Sequence, residues 1–129
     1  MKPIPIMING LPGKVASVIA GHALNDPRVT VLPFSLTGPE IEADRHGVAA
    51  TTIELIRPAE RDRRLQALAA AHGPFVSVDF THPSAVNANA AFYCRHALPF
   101  VMGTTGGDRD ELARTVAESA VCAVIAPNM

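Results

Sequence analysis

Two short apolar runs, each ending in a small, turn-prone cluster, constrain this chain more than any other feature. They lie within VSVDFTHPSAVNANAAFYCRHALPFVMGTTGG, residues 76–107. The first run covers residues 75–80 and closes on Asp79, Phe80 and Thr81. The second covers residues 99–102 and closes on Gly103-Thr104-Thr105-Gly106-Gly107. Apolar residues at helical spacing, among them Val86, Ala90 and Tyr93, lie between them. Strand, helix, strand is a βαβ unit, and in open parallel sheets a ligand sits beyond the carboxyl ends of the strands. A third such end comes early, where residues 4–8 run into Asn9-Gly10-Leu11-Pro12-Gly13-Lys14. Three strand ends carrying backbone-exposing residues point to one site for an extended, phosphate-bearing ligand.

The rest of the chain continues the alternation. Residues 3–8 read as a strand. Residues 14–24 read as a helix stopped by Asn25-Asp26-Pro27. Residues 28–34 read as a second strand, with Pro33 suited to its end rather than its middle. A polar loop is expected over residues 35–44 and a further strand over residues 48–56. A helix over residues 58–72 has a proline in its first turn and Gly73 as its stop. Later helices are expected over residues 83–96, capped by Thr81 or His82, and over residues 108–119, begun by Asp108. A last strand covers residues 121–126. The pattern predicts one α/β domain over residues 1–129: a Rossmann-like, doubly wound, mostly parallel sheet with helices on both faces.

Composition excludes some partners. Apolar residues make up 48% and charged residues 18%, which fits a compact core. The net charge of -1 gives no reason to expect nucleic acid or an anionic membrane as partner. The arginines of residues 57–64 alternate with acids and read as a solvated helix face. Cys94 and Cys122 are far apart in apolar surroundings and read as reduced, buried thiols, which fits a cytoplasmic protein. The start, MKPIPIMING, lacks the features of a signal peptide. No apolar run approaches the roughly 20 residues that span a bilayer. The five histidines show no metal spacing, and Gly-x-Ser-x-Gly is absent.

Gly10, Gly13 and Ala16 stand where a dinucleotide fold places its phosphate loop: a tight turn, a close approach to pyrophosphate, and a small residue where helix packs on strand. Backbone N–H groups at the following helix start would face the anion. An ordinary strand-to-helix turn is the competing reading. A P-loop is excluded, because Lys14 is followed by Val15. The acid that holds the ribose of NAD is missing after the second strand, where Phe34-Ser35-Leu36-Thr37-Gly38 stands and Glu40 comes only later. Hydroxyls there, with Lys14, tilt the choice toward NADPH. In Gly103-Thr104-Thr105-Gly106, glycines allow close approach of a ligand and the threonines carry hydroxyls that can bond an amide. A hydride carrier needs no protein nucleophile.

Together, NGLPGKVA, DFTHPSAVNANAAFY, GTTGGDRDEL and the terminal APNM resemble dihydrodipicolinate reductase, also called 4-hydroxy-tetrahydrodipicolinate reductase, in its plant and cyanobacterial branch. The resemblance covers nearly the whole chain. It implies an oxidoreductase of lysine and diaminopimelate biosynthesis that uses NADPH or NADH. Gly10, Leu11, Pro12, Gly13, Lys14 and Val15 would cradle the pyrophosphate. Ser35 and Thr37 would lie by the adenosine ribose. Phe80 and Thr81 would flank the nicotinamide ribose. Gly103, Thr104 and Thr105 would bond the carboxamide. Ala126, Pro127, Asn128 and Met129 would line the nicotinamide end.

The family continues past the APNM position into a second domain with the substrate loop, the catalytic histidine and lysine, and the sheet that builds a homo-oligomer. None of that lies in these 129 residues, so no catalytic residue is assigned here. The expectation is a cofactor half that binds dinucleotide without turnover, with the ring dicarboxylate substrate held only by the missing domain. The alternative is a free-standing dinucleotide-binding module, a sensor or a subunit completed by a partner chain. A different two-domain dehydrogenase sharing this sheet is a weaker third reading.

Overall fold

The computed structural model describes residues 2–126. Strand β1 (Ile4–Asn9), one residue later than expected, leads into helix α1 (Lys14–Leu24), which has the bounds that the apolar spacing predicts. Next come β2 (Val29–Val31), β3 (Phe34–Leu36), β4 (Arg45–Val48) and β5 (Thr51–Ile56). A 3-10 turn (Pro58–Glu60) opens α2 (Arg61–His72), and Gly73 ends it at φ 68°. Then β6 (Val76–Asp79) passes through a second 3-10 turn (Pro83–Ala85) into α3 (Val86–Arg95). His82 caps that turn by accepting the Ser84 N–H. The chain continues through β7 (Phe100–Met102), α4 (Arg109–Ala117) and β8 (Ala123–Ile125). Asp108 caps α4 by accepting the Glu111 N–H.

Five strands form a wholly parallel sheet in the order β2-β1-β6-β7-β8. Alternation along each strand divides the core. Ile6 and Ile8 of β1 face α1, where they pack with Ala16 and Ala20. Met7 faces the opposite side with Phe100 and Met102, covered by Leu65 and Leu68 of α2, Phe92 and Tyr93 of α3 and Leu112 of α4. Helices thus lie on both faces, as a doubly wound fold requires.

The region between α1 and α2 departs from the expected strand, loop and further strand. Residues 29–36 are bent at Pro33, which has no N–H to continue the ladder. Before the bend, β2 pairs with β1. After it, β3 pairs in parallel with β5, whose other edge pairs with β4 in antiparallel fashion. Ser35 and Leu36, expected in a loop, are therefore strand residues, and β4 takes residues 45–47, to which the sequence assigned no element, together with Val48 from the expected strand over residues 48–56.

Two side-chain expectations also change. Among the arginines expected on a solvated face, Arg57, Arg61 and Arg64 are half-buried and bonded, and Arg63 is exposed. Both cysteines are free, but Cys122 is exposed and Cys94 is half-buried, because Cys122 precedes the edge strand. No helix among the described residues is long and apolar enough to cross a membrane.

Candidate functional site

A cavity of about 590 Å³ opens beyond the carboxyl ends of β1, β6 and β7. This is where the strand order reverses, between β1 and β6. Gly10, Leu11, Pro12, Gly13, Lys14, Val15, Thr37, Phe80, Thr81, Gly103, Thr104 and Thr105 line it. Gly38, Glu40, Ile41 and His82 line it as well.

The first wall is the loop between β1 and α1. Gly10 has φ 113°, and a Cβ there would lie 2.1 Å from the Phe80 carbonyl oxygen. Gly13 has an ordinary φ of -56°, but its Cβ would fall 2.7 Å from the Gly10 oxygen. The Gly13 N–H donates to that same oxygen at 2.8 Å. These contacts fold the loop tightly enough to bring the α1 N-terminus to the cavity. No side chain caps that terminus, and its first turn holds no acid. Uncapped N–H groups and the positive end of the helix dipole thus face the cavity beside Lys14. Ala16, the small residue in the third position, is fully buried against β1.

Ser35 and Thr37 strap this loop from β3. The Leu11 N–H donates to Ser35 Oγ at 3.3 Å, and Thr37 Oγ1 donates to the Leu11 carbonyl at 2.7 Å. Ser35 is fully buried and lies off the cavity wall, and Thr37 is on the wall with its hydroxyl committed. The hydroxyls expected to meet a 2′-phosphate are therefore engaged within the fold. The exposed polar side chain on this wall is Glu40, whose carboxylate folds over Gly38; a Cβ at Gly38 would meet Glu40 Oε1 at 2.6 Å. Arg57 holds the segment that follows. Its Nε donates to the Ile41 carbonyl at 3.1 Å, and its Nη2 bonds the Glu42 carbonyl and Asp44.

The opposite wall is built by Phe80 and the turn after β7. A Cβ at Gly103 would penetrate the Phe80 ring, 2.2 Å from Cε1, so only glycine lets the ring lie across this turn. Thr104 is buried, and its hydroxyl donates to Asp79 Oδ1 at 2.9 Å while accepting the Thr81 N–H at 2.8 Å. Its side chain is thus spent on the wall, which leaves the turn's backbone and Thr105 to face the cavity. Ala126 is half-buried and off the wall, its N–H donating to the Met102 carbonyl at 2.9 Å. Pro127, Asn128 and Met129 lie outside the described residues.

Two groups near the site, the fully buried Tyr93 and the half-buried Arg61, have displaced pKa values. Burial raises Tyr93 well above the usual tyrosine value, and the Asp79 charge and hydrogen bond add to the rise. Burial lowers the Arg61 guanidinium, and Tyr93, Asp79 and Asp62 oppose that effect. Among the described residues, no group of three or more His, Cys, Asp or Glu could hold a metal ion. Sequence reasoning does not place Gly38, Glu40, Ile41 or His82 on this wall. Gly38, Glu40 and Ile41 belong to a loop whose path depends on the second sheet, and His82 reads from the sequence as a cap.

A parallel sheet with a glycine cradle and an uncapped helix terminus at its switch point defines a Rossmann-like α/β domain. The family described as Dihydrodipicolinate reductase, N-terminus, matches residues 4–129, and the chain belongs to that family. It is 40% identical over 126 residues to 4-hydroxy-tetrahydrodipicolinate reductase 1, chloroplastic, of Arabidopsis thaliana, covering 98% of this chain and 36% of the relative. A rice protein named probable 4-hydroxy-tetrahydrodipicolinate reductase 1, chloroplastic, is 38% identical over 125 residues, covering 97% and 36%. The 4-hydroxy-tetrahydrodipicolinate reductase of Mastigocladus laminosus is 29% identical over 134 residues, covering 98% and 48%. The chain thus spans about a third of the plant relatives' length.

Proposed function

We propose that the chain is the NAD(P)H-binding half of a 4-hydroxy-tetrahydrodipicolinate reductase. One observation carries this reading: the uncapped, acid-free N-terminus of α1 opens on the cavity beside Lys14, in a loop that Gly10 and Gly13 let fold tightly against the Phe80 backbone and the Gly10 carbonyl. The residues fit the group. Gly10, Gly13, Lys14 and the α1 amides hold the diphosphate. Thr37, Gly38 and Glu40 border the adenosine ribose, and Phe80, Thr81 and the turn of Gly103, Thr104 and Thr105 border the nicotinamide side. When bound, the dinucleotide supplies the hydride, and the protein orients it and excludes water. The acceptor is a ring dicarboxylate held by a second domain, so the isolated chain binds cofactor without turnover.

The wall at the ribose end supports NADH over NADPH. Ser35 is buried off the wall, Thr37 donates its hydroxyl proton to the Leu11 carbonyl, and the Glu40 carboxylate would accept hydrogen bonds from a ribose diol but repel a 2′-phosphate. Free thiols at Cys94 and Cys122 support a reducing, cytoplasmic setting, although the plant relatives carry chloroplastic names.

Calorimetric titration with NADH, NADPH and ADP tests the reading. Saturable binding of a dinucleotide, with ADP binding more weakly at the same site, is the expected result. No binding of any of the three would overturn it.

A second reading, a binding module completed by a partner chain, draws support from Val101 and Val124. These valines are adjacent in register on the α1 side of β7 and β8 and are exposed. Turnover restored by adding a separately made partner, and not by extending the chain, would favour it.

A further inference from the structure

One fully buried carboxylate lies behind the cavity wall rather than on it. Asp79, the last residue of β6, is fully buried. Its Oδ1 accepts the Thr81 N–H at 3.2 Å, the Thr81 hydroxyl at 2.8 Å and the Thr104 hydroxyl at 2.9 Å. Its Oδ2 accepts the Tyr93 hydroxyl and the Asn89 amide, the latter at 3.0 Å. Every partner donates. A carboxylate, which accepts at both oxygens, matches this set of donors.

The donors cannot easily turn elsewhere. The Tyr93 oxygen also accepts the Asn9 amide at 3.0 Å, and Asn9 Oδ1 in turn accepts the Leu36 N–H at 2.9 Å. The Asn89 oxygen accepts from Arg61 Nη1 at 2.8 Å, and Arg61 Nη2 donates to the Thr37 carbonyl at 3.1 Å. A single charged group thus ties the ends of β1, β3, β6 and β7 together. Two of its direct partners, Thr81 and Thr104, form the nicotinamide-side wall. The diphosphate cradle makes no direct hydrogen bond to Asp79: it is held through Ser35, Thr37 and the Gly13 N–H, and reaches Asp79 only at second hand, through Arg61 and Asn89 or through Asn9 and Tyr93.

We propose that Asp79 is a positioning residue: it fixes the Thr81 and Gly103–Thr104 backbone against the nicotinamide half of the ligand without touching the ligand. The proposal rests on the dinucleotide reading above. It assigns a task to a side chain that the cavity lining alone would leave out.

The division between the two walls provides the test. NADH and ADP are titrated separately into the 129-residue chain and its variants. Asp79→Asn keeps the shape but turns an amide donor onto hydroxyl and amide donors. NADH affinity should fall about tenfold or more, in line with loss of charge-assisted hydrogen bonds, while ADP affinity stays within about twofold. Thr104→Val breaks the same link from the other end and should reproduce the split, and Thr104→Ser should restore NADH binding. The Thr104 pair decides the matter if Asp79→Asn does not fold. Equal losses for NADH and ADP, or no loss for either, would overturn the positioning role alone. A wild-type chain that binds neither ligand would overturn the dinucleotide reading and this proposal with it.

Discussion

Gly10 and Phe80 meet backbone to backbone: a Cβ on Gly10 would lie 2.1 Å from the Phe80 carbonyl oxygen, and Gly10 holds φ 113°. The contact joins the end of β1 to the end of β6 beneath the cavity, and the Phe80 N–H donates to the Asn9 carbonyl at 3.1 Å beside it. Substitution here carries two costs, a left-handed backbone and a collision with a main-chain atom that cannot swing away.

Gly10→Ala should therefore destabilise the domain by about 2 kcal/mol or more, because strained φ and overpacking each cost of that order. The urea midpoint should shift downward with an unchanged slope. A variant with the wild-type midpoint would show that the loop relaxes away from Phe80, and would remove the close contact as the reason for glycine.

Gly13 differs. Its φ is ordinary, so the constraint is space in front of the Gly10 oxygen and access to the α1 terminus. Gly13→Asp should weaken NADH and ADP together, by about tenfold or more, since a carboxylate repels the diphosphate and competes for the N–H groups. Retained affinity for both would refute the assignment of this loop to the diphosphate. The common loss separates this variant from Asp79→Asn, which is expected to affect NADH alone.

How much of this could be read from the sequence follows from the range of each interaction. The α1 helix was legible to the residue because apolar spacing and the Asn25-Asp26-Pro27 stop are local. The ends of β1 and β7 were legible because glycines cluster where backbones must approach, and the end of β6 because Asp79, Phe80 and Thr81 close an apolar run. The hairpin of β4 and β5 was not. Its strand Arg45–Val48 is polar, and Ala49, at φ 53°, occupies a turn where Gly or Asn would have been the signal. Pro33 announced a strand end, but that the chain resumes in a second sheet depends on pairing with Glu54 and Leu55, about twenty residues away. The role of Ser35 is equally remote, since its partner is the Leu11 N–H. Asp79 reads as a turn residue after a strand; that five donors converge on it emerges only when α3 and the end of β7 are in place.

Glu40 offers a test of selectivity. Its carboxylate over Gly38 is the exposed anion at the ribose end of the cavity. If the proposed preference for NADH holds, Glu40→Gln should narrow it by removing the charge that repels a 2′-phosphate. Glu40→Arg should reverse it, with NADPH gaining about tenfold relative to NADH. Titration of both dinucleotides into both variants measures this directly. An unchanged ratio in Glu40→Arg would mean that the ribose lies elsewhere on the wall.

Tyr93 gives a prediction that needs no ligand. It is the chain's single tyrosine, and there is no tryptophan, so tyrosinate absorbance reports it alone. Burial, reinforced by the Asp79 charge and its hydrogen bond, raises its pKa well above 10, against a smaller opposing pull from Asn9 and Arg61. The native state therefore holds its proton after the unfolded state has lost it. The resulting stability is fully present below the unfolded pKa of about 10 and is lost as pH rises above it. In urea the chain should show tyrosinate appearing near pH 10. In buffer, tyrosinate should appear only at higher pH and together with loss of the circular dichroism of the fold. Tyr93→Phe should remove this tyrosine-linked decline while being less stable near neutrality, since Asn9 Nδ2 and Asp79 Oδ2 each lose a partner. A native titration that matches the unfolded one would show that the hydroxyl is open to solvent, and that the buried cluster around Asp79 does not close as described.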